Sequence, residues 1–301
     1  MIYRVTHTTT YTYSQPVSLC HNLAHLTPRP GPRQTCEDFR LIVDPDPAVV
    51  HERMDYFGNP ATFFTVQEPH KRLAVRAEHT TTVEPFIPPD PALTPPWERV
   101  RELLSAERTP TALDAYHYVF DSAYVKASPA LAEYAAPSFP PGRPLLEAAL
   151  DLTARIHREF RYDPKATTLS TSLAEVLAGR RGVCQDFAHL EIGCLRSLGL
   201  AARYVSGYLL TRPAEGKERL VGADASHAWV SVYCPGSDWI DLDPTNGMIP
   251  SDEHILLAWG RDYDDVSPVK GVILGGGDHR ITVAVDVVRV ESPEQFRAAD
   301  V

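Results

Sequence analysis

The hydrophobic period of this chain shifts from strand-like to helical near its middle, and prolines mark the shift. From Tyr3 to Val83, apolar and β-branched residues alternate with polar ones in YRVTHTTTYTY, FRLIVDP, ATFFTVQ and RLAVRAEHTTTV. A period of two is what a half-buried strand requires. After Pro144 the apolar positions Leu145, Ala149, Leu152, Ile156 and Phe160 recur every three or four residues, the one-faced pattern of a helix entered through proline. Between these regions lie the densest of the 27 prolines, in PFIPPDPALTPP (85–96) and around Pro137 to Pro144. A fixed φ and a missing N–H donor keep any regular element from running through them. This order predicts an α+β chain: an N-terminal antiparallel β domain over 1–86, a Pro-rich linker and helical connector over 87–143, and a core over 144–301. In that core helices pack on an antiparallel sheet, and the C-terminal strands are assigned to it. A chain of 301 residues suffices for one large domain or two modest ones.

Local signals refine this. Asp55-Tyr56-Phe57-Gly58-Asn59-Pro60 reads as a turn between strands. Ser172-Leu173-Ala174-Glu175 has capping-box spacing, with Gly179 placed to close that helix in a left-handed conformation. Gly182-Val183-Cys184 leads into QDFAHLEIGCLRSLGL, apolar on nearly all sides, a buried helix whose first turn lies at or near Cys184. Strand patterns return in ARYVSGYLL, SHAWVSVY and WIDLDP, the first two separated by a polar loop from Thr211 to Asp224 long enough to overhang a site. Gly275-Gly276-Gly277-Asp278 reads as a turn before the strand ITVAVDVVRV, and not as a phosphate cradle, since no helix or P-loop lysine follows.

Composition excludes several classes. With 44% hydrophobic and 23% charged residues the chain is globular. A net charge of −10, without any basic run, argues against a nucleic-acid partner. No apolar run approaches membrane-spanning length, and the opening MIYRVTHTTTYTY lacks the apolar stretch of a secretory signal; the expectation is a cytoplasmic protein with no membrane partner. The five cysteines are odd in number, widely spaced and free of CxxC pairs, which suits neither a disulfide framework nor a structural zinc site. No cofactor and no metal are predicted. Cys20, His21 and His25 lack a recognisable ligand spacing, and adjacent residues of a strand point to opposite faces.

The chemistry gathers around Cys184. A thiol becomes a strong nucleophile on ionising, which a helix N-terminus or a neighbouring histidine promotes. The base would be a histidine held in one tautomer by an acid. In ASHAWVSVY, alternation puts His227, Trp229, Ser231 and Tyr233 on one strand face; in WIDLD it puts Trp239, Asp241 and Asp243 on another. A three-residue loop over 234–236 would pair 233 with 237 and set His227 opposite Asp243. A five-residue loop would make Asp243 a diagonal neighbour, and the opposite shift would favour Asp241. Parity excludes Leu242. Asp186 and His189, near Cys184 on its helix, read as structural support.

GVCQDFAHL (182–190), RYVSGYL (203–209), ASHAWVSVY (225–233) and WIDLDPTNG (239–247) resemble the core motifs of the transglutaminase-like superfamily, a branch of the papain-like fold. YTYSQPV, HLTPRP and YFGNP resemble the β region preceding that core in bacterial members. The resemblance implies a papain-like core with Cys184 as nucleophile, His227 as base and Asp243, rather than Asp241, as its orienting acid. It further implies a thiol enzyme acting on amide or isopeptide bonds of a peptide or protein substrate through a thioester, as a peptidase or amidase. Amine transfer and a non-catalytic peptide-binding module are the alternatives. The backbone N–H of Cys184 is a natural oxyanion donor. Tyr162 and Gln185 are candidates around the second donor, and Trp229 either walls the cleft or packs in the core. Nothing in the sequence specifies the oligomeric state.

Overall fold

The computed structural model describes residues 1–210 and 226–291. The opening alternation forms one long strand, β1 (Ile2–Ala24), followed by β2 (Gln34–Asp44), β3 (Val49–Met54), β4 (Pro60–Val66) and β5 (His70–Val83). They form an antiparallel sheet in the order β2-β5-β1-β4-β3. The predicted turn at 55–60 joins β3 to β4: Asp55 Oδ1 accepts the N–H groups of Phe57 (2.8 Å) and Asn59 (2.7 Å).

Two C-terminal strands, β12 (Val269–Gly275) and β13 (His279–Val290), differ from the expected partition. They hydrogen-bond to β1, not to the core sheet, β13 along Ile2–Tyr13 and β12 along Val17–Ala24. A 23-residue strand has two long edges to satisfy, and alternation alone does not say which sheet a late strand joins. Nor does the glycine run reverse the chain as a turn would. β12 and β13 lie end to end along β1, and Gly275, Gly276 and Gly277, all with positive φ, form a break opposite residues 14–16. The Gln15 N–H reaches the Gly276 carbonyl (3.0 Å) and the Gly276 N–H reaches that of Pro16 (3.1 Å).

The proline-rich connector folds into α1 (Trp97–Ala106), α2 (Pro110–Tyr116) and α3 (Pro129–Ala135). Prolines occupy first-turn positions of α2 and α3, where the absent N–H costs nothing. Val100, Leu104, Ala115 and Leu131 are buried in the main apolar core, so the segment is packed structure and not a spacer. The core then adds α4 (Leu145–Glu159), β6 (Arg161–Tyr162), α5 (Leu173–Gly179), β7 (Arg181–Gly182), α6 (Cys184–Ser197), β8 (Ala202–Leu209), β9 (Ser226–Cys234), β10 (Asp238–Leu242), β11 (His254–Gly260) and α7 (Tyr263–Val266). Its sheet has the order β10-β9-β8-β11, and α6, buried from Asp186 to Arg196, packs against it. The capping box at Ser172 and Glu175 is present. At the other end of α5, Arg180 (φ 52°) takes the left-handed conformation assigned to Gly179, which remains the last helical residue. Among the described residues no helix is long and apolar enough to cross a membrane.

β11 is an edge strand of the core sheet, and side chains from the N-terminal sheet complete it. Gln34 donates to the Leu256 carbonyl (2.7 Å) and accepts the Leu256 N–H (2.8 Å). Asn59 repeats the arrangement with Trp259, at 2.8 and 3.0 Å. Two amides thus imitate the backbone of a neighbouring strand and cover an edge that would otherwise stay open.

Candidate active site

Cys184 begins α6 because the chain just before it is capped. Asp186 Oδ2 accepts the Val183 N–H (2.8 Å) and the Thr167 hydroxyl (2.6 Å), tying the helix start to the loop after β6. Glycine at 182 leaves room for this cap: a Cβ there would lie 2.5 Å from Asp186 Oδ2. The N–H groups of Cys184 and Gln185, in the first turn, have no intrahelical acceptor.

The β9–β10 register differs from the one that would set His227 opposite Asp243. Cys234 pairs with Asp238 and Val230 with Leu242, so the loop is 235–237 and the register moves by two. Cys234 is fully buried and stays in the strand, leaving Gly236 (φ 86°) to make the turn. Asp243 is therefore level with Trp229 and only diagonal to His227. It leaves the ladder at that point, bridging to Met248, and still brings Oδ2 to 2.7 Å from His227 Nε2. Asp241 pairs with Ser231 and contributes its charge to the buried Arg203 guanidinium.

Asp243 is fully buried and collects five donors. Oδ2 accepts from His227 Nε2, from His254 Nε2 (3.0 Å) and from the Asn246 side chain (2.7 Å). Oδ1 accepts the backbone N–H groups of Thr245 (2.9 Å) and Asn246 (3.1 Å). Burial alone would raise its pKa; the hydrogen bonds from His227 and His254 and the imidazolium charge hold it well below the usual carboxylate range. His227 is the complement. Burial disfavours its charged form, but hydrogen bonds to Asp243 and Cys184, with the charges of both, push its pKa up to about 10. One imidazole thus joins thiol and carboxylate.

Cys184 and His227 line a cavity of about 240 Å³ shared with Tyr162, Gln185, Tyr204 and Tyr263. Tyr162 is 51% exposed, and burial together with the Cys184 charge raises its hydroxyl pKa. Trp229 takes the second of its two expected places: it is buried and absent from the cavity wall. Its ring supports the histidines from beneath, edge-on to His254 at 5.3 Å and tilted to His227 at 6.1 Å. His189 accepts the Tyr263 N–H (3.1 Å) and stacks on Tyr124, so it supports the site structurally, as Asp186 does. The loop from Thr211 to Asp224 lies outside the described residues.

Sequence reasoning missed His254 and Asn246. Asn246 was within reach, since Asp-Pro-Thr-Asn-Gly is a turn in which an Asp side chain bonds the following N–H groups. His254 offered no signal, because β11 reaches Asp243 only across a sheet whose strand order is not sequential. His227, Asp243 and His254 place three potential ligand atoms within 4.8 Å of one another. Both ring nitrogens already bond the same carboxylate oxygen, an arrangement that hydrogen bonding alone explains. At the other histidine cluster, His21 bonds Thr65 (2.9 Å), His25 faces Asp55 (3.3 Å) and Cys20 is buried.

Residues 133–244 match the family model of the transglutaminase-like superfamily, and residues 3–82 match that of the bacterial transglutaminase-like N-terminal region. An uncharacterized protein of Mycobacterium tuberculosis (strain ATCC 25618 / H37Rv) is 44% identical over 298 residues, covering 96% of this chain and 93% of its own. A protein-glutamine gamma-glutamyltransferase of Pseudomonas aeruginosa is 32% identical over 108 residues, 33% of this chain and 16% of that protein. The fold is shared with a crystal structure from Cytophaga hutchinsonii, provisionally described as a cysteine protease, at a TM-score of 0.76, 22% identity, and coverage of 97% of this chain and 91% of that one. Motifs, fold and full-length similarity together place the chain in the transglutaminase-like superfamily, as a member with the bacterial N-terminal region.

Proposed function

We propose that this protein is a thiol enzyme that cleaves amide or isopeptide bonds of peptides or proteins, with Cys184 as nucleophile, His227 as general base and acid, and Asp243 as the group that orients the imidazole. The observation that carries this reading is the relay from the Cys184 thiol through His227 to a fully buried Asp243, with the thiol end opening into a cavity. Thiolate attack on the carbonyl carbon forms the C–S bond. His227 gives its proton to the departing amine as the C–N bond breaks, and a thioester remains. Water then attacks the thioester, with His227 taking its proton, and the acid product leaves with the free thiol restored. The Cys184 N–H and the Tyr162 hydroxyl are the proposed oxyanion donors; one such donor is worth on the order of 10²–10³ in rate.

Water is the proposed acceptor because the cavity rim carries an exposed Tyr162, not a dry wall. Amine transfer is the second reading, favoured by the gamma-glutamyltransferase relative. The two differ in product. Incubation with an acyl-donor peptide and millimolar primary amines, followed by mass spectrometry, should give mainly free acid; amide that saturates with one amine would replace hydrolysis by transfer. A cytoplasmic location belongs to the same proposal, since five free thiols suit a reducing compartment.

A further inference from the structure

We infer that His254 is a positioning residue of this site: its Nε2–H fixes the Asp243 carboxylate that orients His227, and the N-terminal sheet holds His254 in place through β11. The inference rests on the triad reading above.

His254 is 5% exposed, with Nε2 at 3.0 Å from Asp243 Oδ2. Its Nδ1 is buried with no hydrogen-bond partner among the described residues. A proton on Nδ1 would be a buried, unsatisfied donor, whereas a bare lone pair costs less, so the geometry selects the Nε2–H tautomer. In that form the ring gives Asp243 a hydrogen bond without adding a second positive charge, and the carboxylate charge is left to His227. Among the described residues, the titratable groups facing Asp243 are His227 from β9, His254 from β11 and Glu191 from α6.

The position of His254 depends on its strand. Trp229 packs edge-on against the ring from β9, and the outer edge of β11 is held by Gln34 and Asn59 at Leu256 and Trp259. The Arg29 N–H adds a bond to the Leu257 carbonyl (3.1 Å). The N-terminal sheet, which contributes no nucleophile, thereby reaches the acid of the relay through one strand.

The test is the alkylation rate of Cys184 by iodoacetamide in the full chain, at about pH 6 and about pH 10, for the wild type, His254→Phe and His254→Gln. Near pH 6 the thiolate depends on the imidazolium; near pH 10 any accessible thiol ionises unaided. His254→Phe should slow the reaction at the lower pH by roughly tenfold to a hundredfold, the factor carried by a hydrogen bond to a charged group, and leave the rate at the higher pH nearly unchanged. His254→Gln, which returns an N–H near the same point, should restore most of the loss. A His254→Phe rate equal to wild type at the lower pH, or equal losses at both, would overturn the inference. Slow alkylation of wild-type Cys184 itself would instead defeat the triad reading. Imidazole ¹⁵N shifts of the wild type decide the tautomer independently: Nε2–H on His254 supports the inference, and Nδ1–H overturns it.

Discussion

Two regions of this molecule bury an imidazole against neighbouring side chains, and they put it to opposite use. Where the N-terminal sheet meets the core, His7 bonds the Tyr208 hydroxyl through Nδ1 (2.9 Å) and Thr9 through Nε2 (2.9 Å), and His79 bonds Thr81 (2.7 Å). Burial drives both toward the neutral form, His7 down to about 4 and His79, with the charge of His7 added, down to about 3. At the candidate active site His227 is also buried, yet it is pushed up to about 10. The difference lies in the partner. Hydroxyls carry no charge to offset the burial of a cation, whereas a carboxylate that is itself buried and held by five donors leaves a cation as the favoured form. The partner's charge, not burial, decides which imidazole can exchange protons with a thiol.

The largest expected effect comes from removing the charged end of that contrast. Cys184→Ala should abolish turnover while leaving the fold intact. His227→Ala should slow Cys184 alkylation at neutral pH by about 10²-fold or more, within the range for a lost general base; a loss under about threefold would break the contrast. Next, Asp243→Asn should move His227 toward the behaviour of His7, with its pKa falling well below about 10 because burial is then opposed by Cys184 alone. NMR titration of the ring reads this directly, and a pKa still near 10 would show that Asp243 is not the cause. Partial activity should remain in Asp243→Asn. Combined with His227→Ala it should cost far less than the product of the single losses. Asp241→Asn, on the ladder opposite Ser231, should be much milder.

The neutral histidines predict acid lability. Burial lowers the folded pKa values of His7, His79 and His189 to between about 3 and about 4, below the unfolded value. The unfolded chain therefore binds more protons as pH falls through 6.5, and the stability these groups contribute is present above that pH and lost below it. Glu191 acts in the other direction: burial raises its folded pKa to about 8, so it retains a proton that the unfolded chain releases above about 4.5. His227, raised instead of lowered, is protonated in both states below 6.5 and does not contribute to the slope there. The balance is a net uptake of about two protons on unfolding near pH 5.5, at most about 2.7 kcal/mol per pH unit from these groups. Urea midpoints at pH 7 and pH 5 measure it, and equal midpoints would contradict the neutral assignment. The smallest effect should come from Thr81→Val, which removes one neutral hydrogen bond from His79 and should cost about 1 kcal/mol.

The parts of this molecule legible in its sequence are those where local chemistry and tertiary structure agree. The alternation around Tyr3 to Val83, the apolar stripe of α4 and the Ser172–Glu175 box each describe elements that satisfy themselves over a few residues. Cys184 was legible for the same reason, since Gly182 and Asp186 make the cap within one turn. Parity put His227 and Asp243 on compatible faces but not in register, because Cys234 stays paired and the loop moves to 235–237. What stayed hidden is non-local. The pairing of β12 and β13 with β1 spans most of the chain. Gln34 and Asn59 act as surrogate backbone for β11, and His254 reaches Asp243 from the far edge of the core sheet. None of these leaves a periodic or spaced signature.

The central claim is that position within the relay, and not exposure, makes Cys184 reactive, and the other cysteines supply the control. Cys20, Cys194 and Cys234 are buried, but Cys36 is partly exposed as Cys184 is. Burial pushes the Cys36 thiol up to about 11, and no histidine bonds it among the described residues. Limited iodoacetamide labelling of the native protein at neutral pH, with peptide mapping of all five cysteines, tests the claim most directly. The account predicts modification of Cys184 well before Cys36 and loss of that preference in His227→Ala. Equal labelling of Cys184 and Cys36, or labelling of Cys184 only after denaturation, would contradict it.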